Sequence, residues 1–111
     1  MNYLSEIKQP SIFLIVEFNW PIKENFIPEY GENAAILHKI VLKQDWIEET
    51  VAASGGIGSG PSSVWIFKLK NYASLDRLLH NPEDEVCKAY IAFFSNMPEV
   101  YEKIKEEVLF R

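Results

Sequence analysis

Cysteine is almost missing from this 111-residue chain, since Cys87 stands alone. No internal disulfide can hold the fold, and a reducing, cytoplasmic setting is expected. Histidine is nearly as scarce. His38 and His80 are the only two. With no HxH or HExxH spacing and one isolated thiol, no metal is expected, and no cofactor is assigned. Basic residues are outnumbered, 11 Lys and Arg against 16 Asp and Glu, and the formal charge of -5 has the wrong sign for a phosphate backbone. A nucleic-acid partner is therefore not expected. No apolar run approaches the roughly 20 residues of a membrane span, and the first residues lack a signal peptide's basic start and long apolar stretch.

What the chain does have is apolar bulk. Hydrophobic residues make up 48% and aromatics 14%, far above what a disordered chain carries. The length suits one hydrophobic core, so residues 1–111 are expected as a single domain. So many aromatics on so short a chain point to a core plus an interface.

Residues 1–10 read as an N-terminal arm. Ser11–Trp20, SIFLIVEFNW, then reads as a strand buried on both sides. Its even positions are all apolar, and its odd positions run Ser11, Phe13, Ile15, Glu17, Asn19; alternate strand residues face opposite ways. Trp20-Pro21 ends it, because proline donates no ladder hydrogen bond. Pro28 and Gly31 are expected to break any long helix before Glu32–Lys43, where Ala34, Leu37 and Val41 share one side. Trp46–Ser54 carries Thr50 and Val51 and reads as a second strand, and Gly55–Pro61 (GGIGSGP) as a loop. A phosphate cradle would need a helix right after such a loop. Here Pro61 and a strand follow, so a hairpin connection is expected.

Ser63–Lys70 (SVWIFKLK) is aromatic and β-branched, as strands are. A helix is expected around Ser74–Leu79, capped by Ser74. Another is expected from Asn81-Pro82, with Asn81 as its N-cap, Pro82 at the first helical position, and Glu83, Asp84 and Glu85 at the positive end of its dipole. The tail, residues 99–111, fits helix or strand spacing, and a final strand ending near Phe110 is favoured. Strand, helix, strand, strand, helix pair, strand is the split βαβ plan, an α+β fold with helices on one face of a four-stranded antiparallel sheet. The other face would carry Phe13, Ile15, Val51, Trp65 and Phe67, too apolar to leave in water. A homodimer pairing two such faces is expected on burial grounds.

Ser63–Phe94, with its aromatic strand VWIFKL, the Asn71-Tyr72 link, Leu75, Asp76 and Arg77 on a helix, and Tyr90 and Phe93 on the next, resembles the NIPSNAP-like branch of the dimeric α/β-barrel superfamily. The resemblance implies a ferredoxin-like protomer whose dimer encloses a barrel, often around a small organic ligand. It implies no one reaction, since that superfamily includes quinone-oxidising monooxygenases, haem-degrading enzymes and sensory domains. Haem-degrading members use an Asn on the first strand, a Trp on the third and a His on the second helix. Asn19, Trp65 and His80 match in type and order but sit at strand and helix ends, so those roles are not carried over.

The expected ligand-binding residues, all on the presumed barrel face, are Phe13, Ile15, Glu17, Asn19, Trp65 and Phe67. Trp65 and Phe67 could stack on a flat ligand, or else form the dimer core. Glu17 can serve as general base or ligand anchor, or simply pair with Lys68 or Lys70. His38 is read as a half-buried or surface histidine beside an apolar stripe, His80 as a helix cap, and Cys87 as a small buried residue without an activating partner. Three readings stand: a dimer binding a small apolar ligand, a cofactor-independent monooxygenase of a quinol-like substrate, and a structural dimer whose side chains fill the barrel.

Overall fold

The computed structural model describes residues 8–110. Residues 1–7 of the expected arm lie outside the described residues. Four strands, β1 (Ile12–Asn19), β2 (Ile47–Ser54), β3 (Ser63–Leu69) and β4 (Glu99–Glu106), and three helices, α1 (Pro28–Leu42), α2 (Tyr72–His80) and α3 (Glu85–Phe94), follow in the order β1-α1-β2-β3-α2-α3-β4. The sheet runs β2-β3-β1-β4, and every neighbouring pair is antiparallel. This is the split βαβ plan expected from the sequence.

Strict alternation shapes β1. Ile12, Leu14, Val16 and Phe18 are buried, while Phe13, Ile15, Glu17 and Asn19 are half-buried. The buried set meets the helices, and the core closes with Leu37 and Val41 of α1, Leu75 and Leu78 of α2, and Val86, Tyr90 and Phe93 of α3. Rings fill its loop-side end: Phe93 lies edge-on to Phe18 at 5.6 Å, to Trp65 at 5.5 Å and to Trp20 at 5.2 Å. Edge-to-face rings contribute beyond the area they bury.

Three expectations about helices are corrected. Proline and glycine do not delay α1: Pro28 is its first residue, where no N–H is needed, and Gly31 lies within its first turns. Asn71, not Ser74, caps α2, its Oδ1 accepting from the Ser74 amide at 2.9 Å. Asp84, not Asn81, caps α3 through the Val86 amide at 2.8 Å. Burial raises the Asp84 pKa, but the Arg77 guanidinium and the amides of Val86 and Cys87 bring it below the ordinary carboxylate value. Asn71→Ala should lower stability by about 1 kcal/mol, read from the midpoint of urea unfolding at unchanged slope; an unshifted midpoint refutes the cap.

Tyrosines tie the helices to the edge strand β4. Tyr72 donates to Glu106 at 2.6 Å, and Tyr90 donates to Glu102. Burial first, then that carboxylate, pushes the Tyr90 phenol far above its usual range. The last strand ends at Glu106, four residues short of the expected Phe110. There Glu107 accepts from the Ser11 amide and Lys8, each at 3.1 Å, which lowers its pKa, the Ser11 amide acting most. The glycine-rich segment is the β2–β3 hairpin connection. Gly55 and Gly56, both at φ +82°, turn the chain in a region side chains avoid.

Candidate functional site

Two surfaces could carry function, and they lie on opposite sides of the sheet. The free face shows Phe13, Ile15, Glu17 and Asn19 of β1, as expected. Register sets Lys68, Ile66 and Val64 of β3 beside the first three, and Val51 of β2 beside Ile66. Its centre is apolar, built on Ile15, Ile66 and Val51, with Lys68 5.9 Å from the Phe13 ring centre. Glu17 pairs with Lys103 of β4 at 3.0 Å rather than with Lys68 or Lys70. Asn19 is a strut. Its Nδ2 donates to Glu99, and its Oδ1 accepts from the Ser62 amide at 3.0 Å, fixing the end of the hairpin loop. Glu99 also accepts from the Tyr101 hydroxyl at 2.7 Å, which raises that phenol's pKa.

Trp65 and Phe67 are not on this face. Trp65 is paired with Val16 and Phe67 with Leu14, so both point at the helices, and Phe67 is wholly buried in the core. A legible signal was missed. Lys68 and Lys70 share parity with Val64 and Ile66, whereas Trp65, Phe67 and Leu69 share one apolar parity. The charged parity belongs outside.

The helix side holds a pocket of about 360 Å³ between α1 and the β2–β3 end of the sheet. Small side chains make it. Ala34 and Ala35 stand on the helix wall and Ala52 on the strand wall, where large residues would have closed the gap. Phe18, Trp20 and Trp65 supply aromatic surface. Polar groups are few. Trp65 Nε1 donates to Thr50 Oγ1 at 2.8 Å, the hydroxyls of Ser54 and Ser63 share a hydrogen bond of 2.8 Å at one end, and His38 stands on the exposed side of α1 at the rim. Sequence reasoning missed these alanines. The signal was present as two adjacent small pairs, Ala34-Ala35 and Ala52-Ala53, in elements otherwise rich in larger side chains.

Asn19, Trp65 and His80 do not converge. Asn19 sits on the free face, Trp65 on the helix face, and His80 is the exposed last residue of α2. Cys87 is buried, as expected. Among the described residues, no three of His, Cys, Asp and Glu are grouped to hold a metal ion, and no helix is long and apolar enough to cross a membrane.

The architecture is that of a ferredoxin-like α+β protein, and solved structures share it. A dimeric ferredoxin-like protein of unknown function from Thermobifida fusca superimposes with a TM-score of 0.67 at 14% identity, over 90% of this chain and 94% of its own. A Dabb-family protein with a ferredoxin-like fold from Mesorhizobium loti gives 0.65 at 13% identity, over 87% and 96%. SnoaB, a cofactor-independent oxygenase from Streptomyces nogalater, gives 0.63 at 12% identity, over 86% and 90%. No protein-family model and no curated protein sequence matches the chain.

Proposed function

We propose that the protein is a homodimer paired through the free sheet face, and that each protomer binds a small, flat, apolar or aromatic molecule in the pocket between α1 and β2. One observation carries the ligand reading: an aromatic-lined, largely apolar cleft of about 360 Å³ between α1 and the sheet, within the usual size of small-molecule sites. The expected place for the ligand, between the sheets, gives way to the helix side because Trp65 turned inward. Phe13 and Ile15 then belong to the pairing surface. Glu17 and Asn19 line a polar recess of about 350 Å³ at the loop end of that face, where a closed barrel has its mouth. Similar structures described as dimeric support the pairing. The likeness of Ser63–Phe94 supports the NIPSNAP-like branch as the finer placement, and the single buried Cys87 fits a cytoplasmic setting.

The probe for the pocket is 1-naphthol. It should quench tryptophan fluorescence saturably, one molecule per protomer, because Trp20 and Trp65 both line the space. Ala52→Phe fills the pocket from the strand side and should weaken binding at least tenfold, an order-of-magnitude expectation for lost shape complementarity. An unsaturable titration, or unchanged affinity in the variant, refutes this site.

A second reading, cofactor-independent oxygenation of a quinol, is favoured by His38, the one imidazole on the pocket's lining, and by the structural likeness to SnoaB. A base that ionises a ring hydroxyl makes the ring a better electron donor to dioxygen. In this reading His38→Ala keeps naphthol binding and loses oxygen uptake with 1,4-dihydroxynaphthalene. Wild-type uptake no faster than the uncatalysed background ends it.

A further inference from the structure

The β2–β3 hairpin ends in a segment that no contact holds, and it springs from the edge of the pocket. Its stems are fixed. Ser54 and Ser63 face each other across the two strands, share their hydroxyl hydrogen bond of 2.8 Å, and both line the pocket. One step further out, the Gly55 amide donates to the Ser62 carbonyl at 2.8 Å, and the Ser62 amide donates to Asn19 Oδ1 at 3.0 Å. There the fixings stop. Among the described residues, Gly56–Pro61 make no hydrogen bond. Compact loops are packed by their own side chains, but this one curls around about 190 Å³ of space lined by Gly55–Ser62 alone. Gly56 and Gly60, at φ +82° and +89°, bound the free part. A Cβ at either would meet nothing within 4 Å, so neither glycine makes room for a neighbour. What they supply is backbone freedom at the two ends of a short flap.

Between these hinges stands one large side chain. The flap reads Gly56-Ile57-Gly58-Ser59-Gly60, and Ile57 is fully exposed. A single exposed isoleucine signals nothing by itself. Here it is the tip of an unheld flap, and chain length bounds its reach. Three residues separate Ile57 from Ser54, a span of at most about 10 Å, so the tip stays beside the recesses that adjoin the stems. Those on the free face carry Glu17, Glu99 and Lys103. The pocket on the helix side is walled by Trp20, Trp65, Ala35 and Ala52. An isoleucine gains by leaving water only against apolar walls, which selects the helix side.

We infer that Gly56–Gly60 is a lid on the α1–β2 pocket, closing when Ile57 swings to the helix side and covers a bound ligand with its side chain. The lid presupposes the ligand site proposed above and adds control of exchange at it. A flap that shuts on a ligand slows the ligand's escape.

The test follows 1-naphthol leaving the full-length protein on dilution, by stopped-flow tryptophan fluorescence. Ile57→Ser should keep saturable binding and speed dissociation about tenfold or more, the scale of one buried aliphatic side chain. Ser59→Ala, on the same loop, should leave the rate alone. Ile57 is exposed with the flap open, so its loss leaves the protomer's core intact. A second variant reads closure itself. Ile57→Cys with Ala35→Cys puts one thiol on the flap tip and one on the α1 wall of the pocket, with Cys87 buried away from both. A disulfide needs the two Cα atoms within about 7 Å, so oxidised glutathione should join them within one chain, as read by intact mass before and after reduction. An unchanged dissociation rate in Ile57→Ser, or no bond within one chain, overturns the lid and leaves the site standing. A wild type without saturable naphthol binding overturns the site itself, and the two failures are thus distinct.

Discussion

Ile66→Asp is expected to leave a folded monomer where the wild type has the mass of two chains. Ile66 lies mid-face, between Ile15 on one side and Val51 on the other. In a lone protomer its side chain is only half-buried, so a carboxylate there can reach water and the protomer keeps its core. In the paired state the same carboxylate is enclosed by Ile15, Val51 and their partners, and the two cations nearest on that face, Lys68 and Lys103, already lie against Glu107 and Glu17. A buried charge without a partner costs on the order of 3–5 kcal/mol, a factor of several hundred or more in the dissociation constant. Light scattering behind size exclusion reads the mass, and far-UV circular dichroism shows that the protomer still folds. A variant that stays dimeric, or a wild type that never was, removes the free face as the pairing surface. Ile66→Ala shortens the side chain without adding charge and should weaken the dimer far less.

Phe93→Ala is expected to be the most damaging single change to the protomer, at about 3–5 kcal/mol. Phe93 is fully buried and its ring meets those of Phe18, Trp20, Trp65 and Phe94. Those rings come from β1, the segment after it, β3 and α3. Truncation leaves a void that four rigid neighbours cannot close, so the transfer loss and the cavity loss add. Such a loss is a large part of the 5–15 kcal/mol that holds a typical domain. Chemical denaturation of the variant should show a midpoint well below wild type. A loss under about 1 kcal/mol would mean the cluster relaxes around the gap. The same void adjoins the α1–β2 pocket through Phe18 and Trp65, so naphthol affinity should change as well. Exposed substitutions such as Asn71→Ala should leave that affinity alone.

The order and kind of the elements were legible because each depends on nearby residues. The alternation of Ser11–Trp20 gave away β1 and both of its faces, and the spacing of Leu37 and Val41 located α1's buried stripe. Boundaries read less well. Pro28 and Gly31 suggested a break, yet a first helical turn tolerates proline and packing outweighs one glycine. Caps went astray for a related reason. Several Asn, Asp and Ser residues near each helix start are chemically able to cap, and only backbone geometry selects Asn71 and Asp84. The site was half legible. Phe13, Ile15, Glu17, Asn19 and Val51 stand on the free face as expected, whereas Trp65 and Phe67 carry the opposite parity. One residue of strand phase moves every side chain through the sheet.

Amino-acid order alone settled that this chain builds four strands and their helices, with apolar surface to spare on a sheet that helices cover from one side. Those outcomes follow from periodicity and local backbone preference, which act over a few neighbours. The pocket needed the folded chain. Ala34 and Ala52 become two walls of one space only when packing brings α1 over β2. Volume in such a place is a property of the packed arrangement, fixed by pairings that no short window of sequence contains.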